Sequence, residues 1–233
     1  MTMRYLFDPP EIAAVPVIGE GSLFPVRRIF CVGRNYAAHA AEMGFEVDRE
    51  APFYFTKSAQ ALQATGTTIP YPPGTEDFHH EMELVLAIGA PAFRVERAAA
   101  MNAIYGYCCG LDMTRRDLQI ASRQKQRPWD LGKDVEGSAV MAPITRSDDF
   151  GVIGEQCIHL EVNGTPRQDA RLSELIWKVD EIVSHLSGFY HLRPGDLIMS
   201  GTPAGVGPVN PGDRITGGID GLSDIALTIG DPD

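Results

Sequence analysis

Two glutamates lie two residues apart at the start of an apolar stretch, "FHHEMELVLAIG" at residues 78–89. Side chains at positions i and i+2 of a β-strand share a face, so Glu81 and Glu83 can meet one cation. Asp112 ends another apolar strand, "IYGYCCGLD", and offers a third oxygen ligand. Three carboxylates favour Mg²⁺ or Mn²⁺ over Ca²⁺. From spacing alone, an exposed pair of rim glutamates remains the alternative.

A histidine and a glutamate are spaced for one face of a short predicted helix, "YAAHAAEMG". His39 and Glu42 stand at i and i+3, where helical side chains are neighbours. A carboxylate beside an imidazole fixes its tautomer and raises its basicity, as a general base for water requires. An ordinary surface ion pair explains the same spacing.

Cationic side chains cluster in "DMTRRDLQ" and "RPWDLGKDVEGS". Arg115 or Arg116 can bind a carboxylate through two hydrogen bonds, as guanidinium groups do. Lys133 follows apolar and small residues, so we expect it to be partly buried with an anionic partner, either the metal carboxylates or a substrate. Lys57 in "FYFTKS" is explained equally well as a lysine at a strand end.

A glycine-rich stretch, "GTPAGVGPVNPG", lies near the end of the chain. It lacks the G-K-[ST] and G-x-G-x-x-G patterns of nucleotide-binding loops. We interpret it as a tight loop whose backbone N–H groups and Thr202 hydroxyl can approach a small anionic ligand.

Composition and charge exclude several classes of partner. The 233 residues are 44% hydrophobic and 22% charged, which is typical of a globular domain. A formal charge of −11 repels nucleic acid and anionic membranes. The sequence shows neither a membrane span nor a secretion signal, which predicts a cytoplasmic protein. The four cysteines lack C-x-x-C spacing, so we expect buried reduced thiols instead of zinc or disulfides.

The order of predicted elements indicates one domain with a short lead-in. Residues 1–25 are punctuated by proline and have little periodicity, and residues 26–233 form the predicted catalytic domain. Strands outnumber helices and do not alternate with them. This pattern favours a β-rich α+β fold over a doubly wound parallel sheet.

The motifs, taken in order, resemble the fumarylacetoacetate hydrolase family. They are "GRNYAAHAAEMG", "FTK", "HHEMELVLAIG", "GLDMTRRDLQ", "PWDLGKDVEGSAVMAPI", "VNG" and "GDLIMSGTPAGVG". The likeness runs from about residue 26 to the end, and the set is specific although each piece is weak. It implies a mixed β-sandwich roll with flanking short helices, and a homodimer.

The resemblance also implies a role for each motif residue. Glu81, Glu83 and Asp112 become Mg²⁺ or Mn²⁺ ligands. His39 and Glu42 become a water-activating pair, and Lys133 becomes a third catalytic residue. Substrate contacts are implied for further polar residues, namely Arg34, Lys57, Arg116, Gln119 and Thr202.

The implied activity is hydrolysis of a C–C bond in a 2,4-diketo acid, that is, an acylpyruvate. The segment "PVRRIFCVGRNYAAHAAEMGFEVDREAPFYFTK" resembles most the members that act on fumarylpyruvate in gentisate-type aromatic degradation. Oxaloacetate decarboxylation and dienoate isomerisation are the alternatives within the family. A non-catalytic protein that binds a keto acid is the alternative outside it. Such a protein would leave the spacing of His39 and Glu42 unexplained.

Overall fold

The protein is described by a computed structural model that covers residues 4–44 and 49–233. Short strands dominate this part of the chain. In the first half they are β1 (Ala14–Pro16), β2 (Leu23–Pro25), β3 (Arg28–Gly33), β4 (Phe53–Lys57), β5 (Leu62–Ala64), β6 (Thr67–Pro70), β7 (Phe78–His80), β8 (Met82–Ile88), β9 (Ile104–Asp112) and β10 (Thr114–Arg115). In the second half they are β11 (Ala139–Met141), β12 (Thr145–Arg146), β13 (Cys157–Val162), β14 (Thr165–Arg171), β15 (Asp196–Met199), β16 (Gly207–Val209), β17 (Arg214–Ile219) and β18 (Ile225–Gly230).

The helices are short and lie between strands. The α-helices are α1 (Ala37–Glu42), α2 (Arg97–Ala100), α3 (Arg116–Gln124), α4 (Asp130–Lys133), α5 (Ser147–Phe150) and α6 (Val179–Ser187). Single 3₁₀ turns occupy Ala59–Ala61, Met101–Ala103 and Leu172–Glu174. The amphipathic stretch 172–190 is not one helix. It is a 3₁₀ turn followed by α6, because Leu175 and Lys178 between them have extended backbone.

An eight-stranded mixed sheet forms the centre of the fold. Its strand order is β4-β3-β15-β8-β9-β11-β5, with β12 also paired to β9. A five-stranded sheet has the order β14-β13-β17-β18-β6, and a three-stranded sheet has the order β10-β7-β16. The longest pairing joins β8 and β9 in antiparallel register, with Glu83 opposite Gly110. The two strands that carry the predicted metal ligands are therefore neighbours in the centre of the sheet.

The central sheet is buried on both faces. On one face of β8, Leu84 and Leu86 belong to a large hydrophobic cluster that includes Leu160 of the five-stranded sheet. On the other face, Val85 and Ala87 belong to a second cluster. A fully buried apolar side chain of this size stabilises a fold by about 1.5–3 kcal/mol. Each strand of the central pair is thus held from both sides.

The second cluster also reaches the start of the chain. Val15 of β1 and Phe24 of β2 are buried in it, so the predicted lead-in packs on the main body. In β9 the adjacent Cys108 and Cys109 enter opposite clusters, as their strand positions predict. All four cysteines are free thiols. Among the described residues, no helix has both the length and the apolar composition to span a membrane.

Candidate active site

The predicted metal ligands meet where β7 gives way to β8. The stretch "FHHEMELVLAIG" is not one strand: β7 pairs in the three-stranded sheet, β8 pairs in the central sheet, and Glu81 lies at the change between them. One oxygen from each of Glu81, Glu83 and Asp112 lies within 4.8 Å of the others. These side chains, which we call the acidic triad, are buried, with residue exposures of 4%, 2% and 1%. The alternative of an exposed rim pair is wrong.

Three cations neutralise part of the acidic triad, namely Lys133, Arg116 and Lys57. Lys133 Nζ donates to Glu81 Oε2 at 2.7 Å and to Asp112 Oδ2 at 2.8 Å. A third hydrogen bond from the same ammonium reaches Thr114 Oγ1 at 2.8 Å. Arg116 Nη2 donates to Glu81 Oε1. Buried ions need such partners, because an uncompensated charge costs several kcal/mol away from water.

The remaining carboxylate oxygens are less completely satisfied. Glu83 Oε2 accepts from the Gly201 backbone N–H at 2.7 Å. Asp112 Oδ1 is buried and lies 2.9 Å from Lys57 Nζ. The angles of this contact are not those of a hydrogen bond, and Asp112 Oδ1 has no hydrogen bond within the described residues. Asp112 Oδ1 thus has an ionic contact with Lys57 but no hydrogen bond, and a divalent cation among the three carboxylates would give this oxygen a coordination bond.

The pKa values of the neighbouring Glu81 and Glu83 are shifted in opposite directions by the charges around them. Burial alone would raise the pKa of Glu81, but the positive charges of Lys133 and Arg116 outweigh it and hold that pKa well below its ordinary value. Burial raises the pKa of Glu83, and the nearby anions Asp112 and Glu81 raise it further. Burial also works against the charge of Lys133, yet Asp112 and Glu81 raise its pKa above the ordinary value. Glu83 is therefore the triad member that has least compensating positive charge.

The donor set of the acidic triad fits a hard divalent cation. It offers carboxylate oxygens only, which suit Mg²⁺ and Mn²⁺ and disfavour softer metals. Within residues 4–44 and 49–233, it is the one group of three or more acidic, histidine or cysteine ligands that converge closely enough to hold an ion. The predicted Mg²⁺ or Mn²⁺ thus has a site with the required chemistry in this chain.

The predicted general base lies on α1, across from the triad. His39 is buried, and its Nδ1 lies 3.2 Å from Glu42 Oε2. Glu42 in turn accepts hydrogen bonds of 3.2 Å from the Gly205 backbone N–H in the glycine-rich loop. A protonated Nδ1 facing the carboxylate leaves Nε2 as the nitrogen that can accept a proton.

One cavity of about 170 Å³ connects these groups. Its wall includes the acidic triad, His39 and most of the other predicted site residues. Those others are Arg34, Arg116, Gln119, Lys133 and Thr202. Glu42 reaches the cavity only through its contact with His39, and the structure places Lys57 behind Asp112, outside the cavity wall.

Lys57 is buried behind the acidic triad and contacts the backbone that carries Lys133. Its ammonium donates to Met113 O at 3.1 Å, to Ser138 Oγ at 2.9 Å and to the backbone oxygen of Lys133. With 2% of its surface exposed, it is not the strand-end lysine in solvent that the sequence allowed. Its observed partners are Asp112 and the backbone around Lys133.

A second face of the cavity is missing from the sequence-based prediction. Arg116, Gln119, Ile120 and Arg123 of α3 all line it. They stand at i, i+3, i+4 and i+7, the spacing of one helical face. That period was available in the sequence, and extending it past Gln119 would have added Ile120 and Arg123.

Three aromatic residues complete the wall, and only the tertiary fold brings them together. Phe53 and Phe55 come from the edge strand β4, and Trp129 precedes α4. Trp129 contacts Phe53 edge to face, with ring centroids 5.5 Å apart, and lies 5.8 Å from Phe55. We call these three residues the aromatic wall.

A buried amide links the acidic triad to the glycine-rich loop. Gln168 of β14 accepts from the Met82 backbone N–H at 3.0 Å. Its Nε2 donates to Thr202 Oγ1 and to Pro203 O, each at 2.8 Å. The side chain is 1% exposed, so it fixes Thr202 relative to the strand that carries Glu83. No short motif in the sequence pointed to it.

Comparisons with known proteins agree with this geometry. A family model described as "Fumarylacetoacetate (FAA) hydrolase C-terminal" matches residues 28–229. Fumarylpyruvate hydrolase from Ralstonia sp. is 54% identical over 81% of this chain and 98% of that protein. A mitochondrial oxaloacetate tautomerase of Arabidopsis thaliana is 39% identical over 87% of this chain and 90% of that protein.

Among solved structures, fumarylpyruvate hydrolase from Pseudomonas aeruginosa in complex with Mn²⁺ and pyruvate superposes with a TM-score of 0.95. It is 44% identical, and the match covers 98% of this chain and all of that one. The predicted family resemblance and the predicted β-rich α+β roll are confirmed.

Proposed function

We propose, from the premise that this chain belongs to the fumarylacetoacetate hydrolase family, that it hydrolyses the C–C bond of an acylpyruvate, with fumarylpyruvate as the substrate and fumarate and pyruvate as the products. One observation carries the proposal. A histidine–glutamate pair and a buried acidic triad line the same cavity, so a base for water and a site for a divalent cation share one substrate space. Relatives named for fumarylpyruvate hydrolysis support the choice of substrate.

In this proposal the acidic triad holds Mg²⁺ or Mn²⁺. When bound, the cation supplies Lewis-acid charge that stabilises the negative charge developing on the pyruvate half of the substrate. The Mn²⁺ in the Pseudomonas aeruginosa relative supports this choice of cofactor. Lys133 and Arg116 already surround Glu81, and they add fixed positive charge at the same end of the cavity.

His39 is the base for water in the proposed reaction. Glu42 orients its ring through Nδ1, and Nε2 takes a proton from a water molecule that attacks the C4 carbonyl. The C3–C4 bond then breaks, and its electron pair passes to C3 and the C2 carbonyl to give the enolate of pyruvate. The proton held by His39 balances the reaction when C3 is protonated, and the acyl half leaves as fumarate.

The residues around the enolate determine how its charge is compensated. Lys133 is fixed by three hydrogen bonds, so its charge does not have to reorganise during the reaction. Gln119 accepts from Arg116 Nη1 at 2.5 Å and fixes the guanidinium from the other side. Thr202 adds a hydroxyl to the polar lining of the cavity.

A second candidate is oxaloacetate chemistry, favoured by the likeness to the Arabidopsis thaliana oxaloacetate tautomerase. Decarboxylation or tautomerisation of oxaloacetate would use the same enolate-stabilising charges. Neither reaction consumes water at a carbonyl carbon, so neither requires His39 as a base for water. Substitution of His39 therefore distinguishes the two functions, because it should slow hydrolysis of fumarylpyruvate more than the reaction of oxaloacetate.

A coupled assay of pyruvate release tests the proposal. Fumarylpyruvate, acetylpyruvate and oxaloacetate are each supplied with Mg²⁺, Mn²⁺ or a chelator, and lactate dehydrogenase reports pyruvate. We expect metal-dependent turnover that is fastest with fumarylpyruvate. Faster pyruvate release from oxaloacetate would replace the proposal with oxaloacetate decarboxylation. No pyruvate release from any of the three would favour oxaloacetate tautomerisation, dienoate isomerisation or a non-catalytic protein.

We also propose a homodimer that works in the cytoplasm during the breakdown of aromatic compounds. The family resemblance and the composition support these statements, and the similarity to the Ralstonia fumarylpyruvate hydrolase is consistent with the last one. Gel filtration with light scattering would establish the number of subunits.

A further inference from the structure

Glu83 is held in a different way from the other glutamate of the acidic triad. Glu81 accepts hydrogen bonds from the charged side chains of Lys133 and Arg116. Glu83 accepts a hydrogen bond of 2.7 Å from the backbone N–H of Gly201, which is a neutral donor. A neutral donor orients a carboxylate without cancelling its charge, so the charge of Glu83 stays available to a cation in the triad.

The N–H of Gly201 belongs to a peptide group that the glycine itself leaves free to turn. Gly201 has φ of +97°, a backbone conformation that residues with a side chain rarely adopt. The same planar peptide group carries the carbonyl of Ser200. The hydroxyl of Ser200 is buried and has no hydrogen bond within residues 4–44 and 49–233, so it does not hold this group. The orientation of the Gly201 N–H therefore depends on what binds the Ser200 carbonyl.

The Ser200 carbonyl is bound by Asn35, which lies between β3 and α1. Asn35 is fully buried, and its Nδ2 donates to Ser200 O at 2.8 Å. A side-chain amide, a peptide group and a carboxylate thus form one chain of hydrogen bonds that ends on Glu83. Hydrogen bonds in such a chain polarise one another, so Asn35 both orients and strengthens the contact between the Gly201 N–H and Glu83.

The amide of Asn35 is itself fixed in one orientation. Its Nδ2 also donates to Trp177 O at 3.0 Å, and its Oδ1 accepts from the Trp177 backbone N–H at 2.7 Å. The backbone oxygen of Asn35 accepts from the Ile176 N–H at 2.8 Å. Turning the amide over would place Oδ1 against two carbonyl oxygens, which excludes the reversed orientation. The packing is also close, since a Cβ added at Gly201 would lie 2.7 Å from Asn35 Cβ.

We infer that Asn35 is a positioning residue for the metal site: through the peptide group of Ser200 and Gly201, it holds Glu83 in the orientation in which the acidic triad binds a divalent cation. The inference rests on the proposed function, in which the triad holds Mg²⁺ or Mn²⁺. Asn35 is not among the residues that line the cavity, so it acts on the cation through Glu83 and not by contact. A side chain that only anchored the fold would change the stability of the protein without a specific effect on the affinity for the cation.

Calorimetric titration with Mn²⁺ alone, without substrate, tests the inference. Asn35→Ala removes the donor to the Ser200 carbonyl. Ser187→Ala is the matched control, because Ser187 is another buried polar residue whose side chain hydrogen-bonds to two backbone groups, and it does not line the cavity. Asn102→Ala makes the same chemical change at an exposed position. Urea unfolding measures the stability of each protein beside its affinity for Mn²⁺.

We expect the Kd for Mn²⁺ to rise about 10-fold in Asn35→Ala, the lower end of the range for groups that orient a metal ligand, because a peptide group lies between Asn35 and Glu83. Ser187→Ala should bind Mn²⁺ with the wild-type Kd even though its urea midpoint falls. Asn102→Ala should match wild type in both measurements. Asn35→Ser keeps a hydroxyl donor and is the milder variant. Its Kd should rise by less than that of Asn35→Ala, and it carries the same test if Asn35→Ala does not fold.

A wild-type Kd in folded Asn35→Ala would overturn the inference and leave Asn35 as an anchor of the fold. An equal rise in Ser187→Ala would also overturn it, because the effect would then follow stability and not the contact with the peptide group. Failure of the proposed function has a different signature, since the titration uses no substrate. Wild-type protein that binds Mn²⁺ but releases no pyruvate from fumarylpyruvate would refute the proposed function and leave the inference standing. Wild-type protein that does not bind Mn²⁺ would overturn both.

Discussion

The two sides of the cavity are built from different kinds of structure. The acidic triad lies on and beside strands in the centre of an eight-stranded sheet, whereas His39 and Glu42 lie on a six-residue helix. Glu83 and Asp112 are held by strand pairing and by two hydrophobic clusters. The helix is held by buried Ala40 and His39, by buried Asn35 just before it and by the contact of Glu42 with Gly205. In the proposed function, the groups that hold the cation are on the strand side, and the group that moves a proton is on the helix side.

The largest effect should come from breaking the strand side. Glu83→Gln removes one carboxylate of the triad, and we expect kcat to fall by about 10⁴-fold or more, since several kcal/mol of charge stabilisation are lost at roughly 1.4 kcal/mol per factor of ten. Calorimetric titration with Mn²⁺ should show weaker binding in the same variant. Glu11→Gln, at an exposed position, is the control. Wild-type turnover in Glu83→Gln would remove Glu83 from the set of ligands.

Breaking the helix side should reduce turnover without affecting the metal. His39→Ala is expected to lower kcat by about 10²- to 10⁴-fold, the usual contribution of a general base. Mn²⁺ affinity should stay at the wild-type value, because His39 is not in the triad. His159→Ala on the exposed face of β13 is the matched control. Full hydrolysis of fumarylpyruvate by His39→Ala would contradict the base assignment, and an equal loss of metal binding would show that the two sides are not independent.

A smaller effect should sharpen the role of the pair on the helix. Glu42→Gln keeps the shape of the side chain but loses its charge, and we expect kcat to fall about 10- to 100-fold, as for a hydrogen bond to a charged group. Steady-state kinetics with fumarylpyruvate measure this change. If kcat matches that of wild type, Glu42 only anchors the helix to Gly205.

The smallest effect concerns the connection between the strand side and the loop. Gln168→Leu leaves the Met82 N–H without its buried acceptor, so the free energy of unfolding should fall by about 1–3 kcal/mol. Urea unfolding followed by circular dichroism measures this change. Gln60→Leu at an exposed position should stay within about 0.5 kcal/mol of wild type. Equal stability of the two variants would mean that Gln168 is not a structural link.

The metal-ligand candidates on the strands were predictable from the sequence because they depend on the local periodicity of a β-strand. The spacing of Glu81 and Glu83 and the position of Asp112 at a strand end follow from the period of a β-strand. The same period placed Cys108 and Cys109 on opposite faces. The change of sheet at Glu81 was not predictable, because the apolar pattern continues through it and only long-range pairing separates β7 from β8.

The rest of the site depends on contacts between distant parts of the chain. Trp129 contacts Phe53 because α4 packs on α3. This packing is close at Gly132, where an added Cβ would be 2.8 Å from the Gln119 backbone nitrogen. Lys57 at the end of β4 contacts Asp112 at the end of β9, although the two strands are far apart in the chain and are not paired with each other. Arg123 is different, since the helical period would have found it once Arg116 was accepted as a site residue.

Burial of the central strand pair on both faces has a kinetic consequence. Backbone amides in such a strand exchange their hydrogens with solvent mainly when the whole molecule unfolds, because no smaller opening exposes them. Glu83 belongs to this strand, so its ligand position is locked for as long as the protein stays folded. In the proposed function, a metal ion held by the triad would therefore exchange with solvent through the cavity, and not through local opening of this strand.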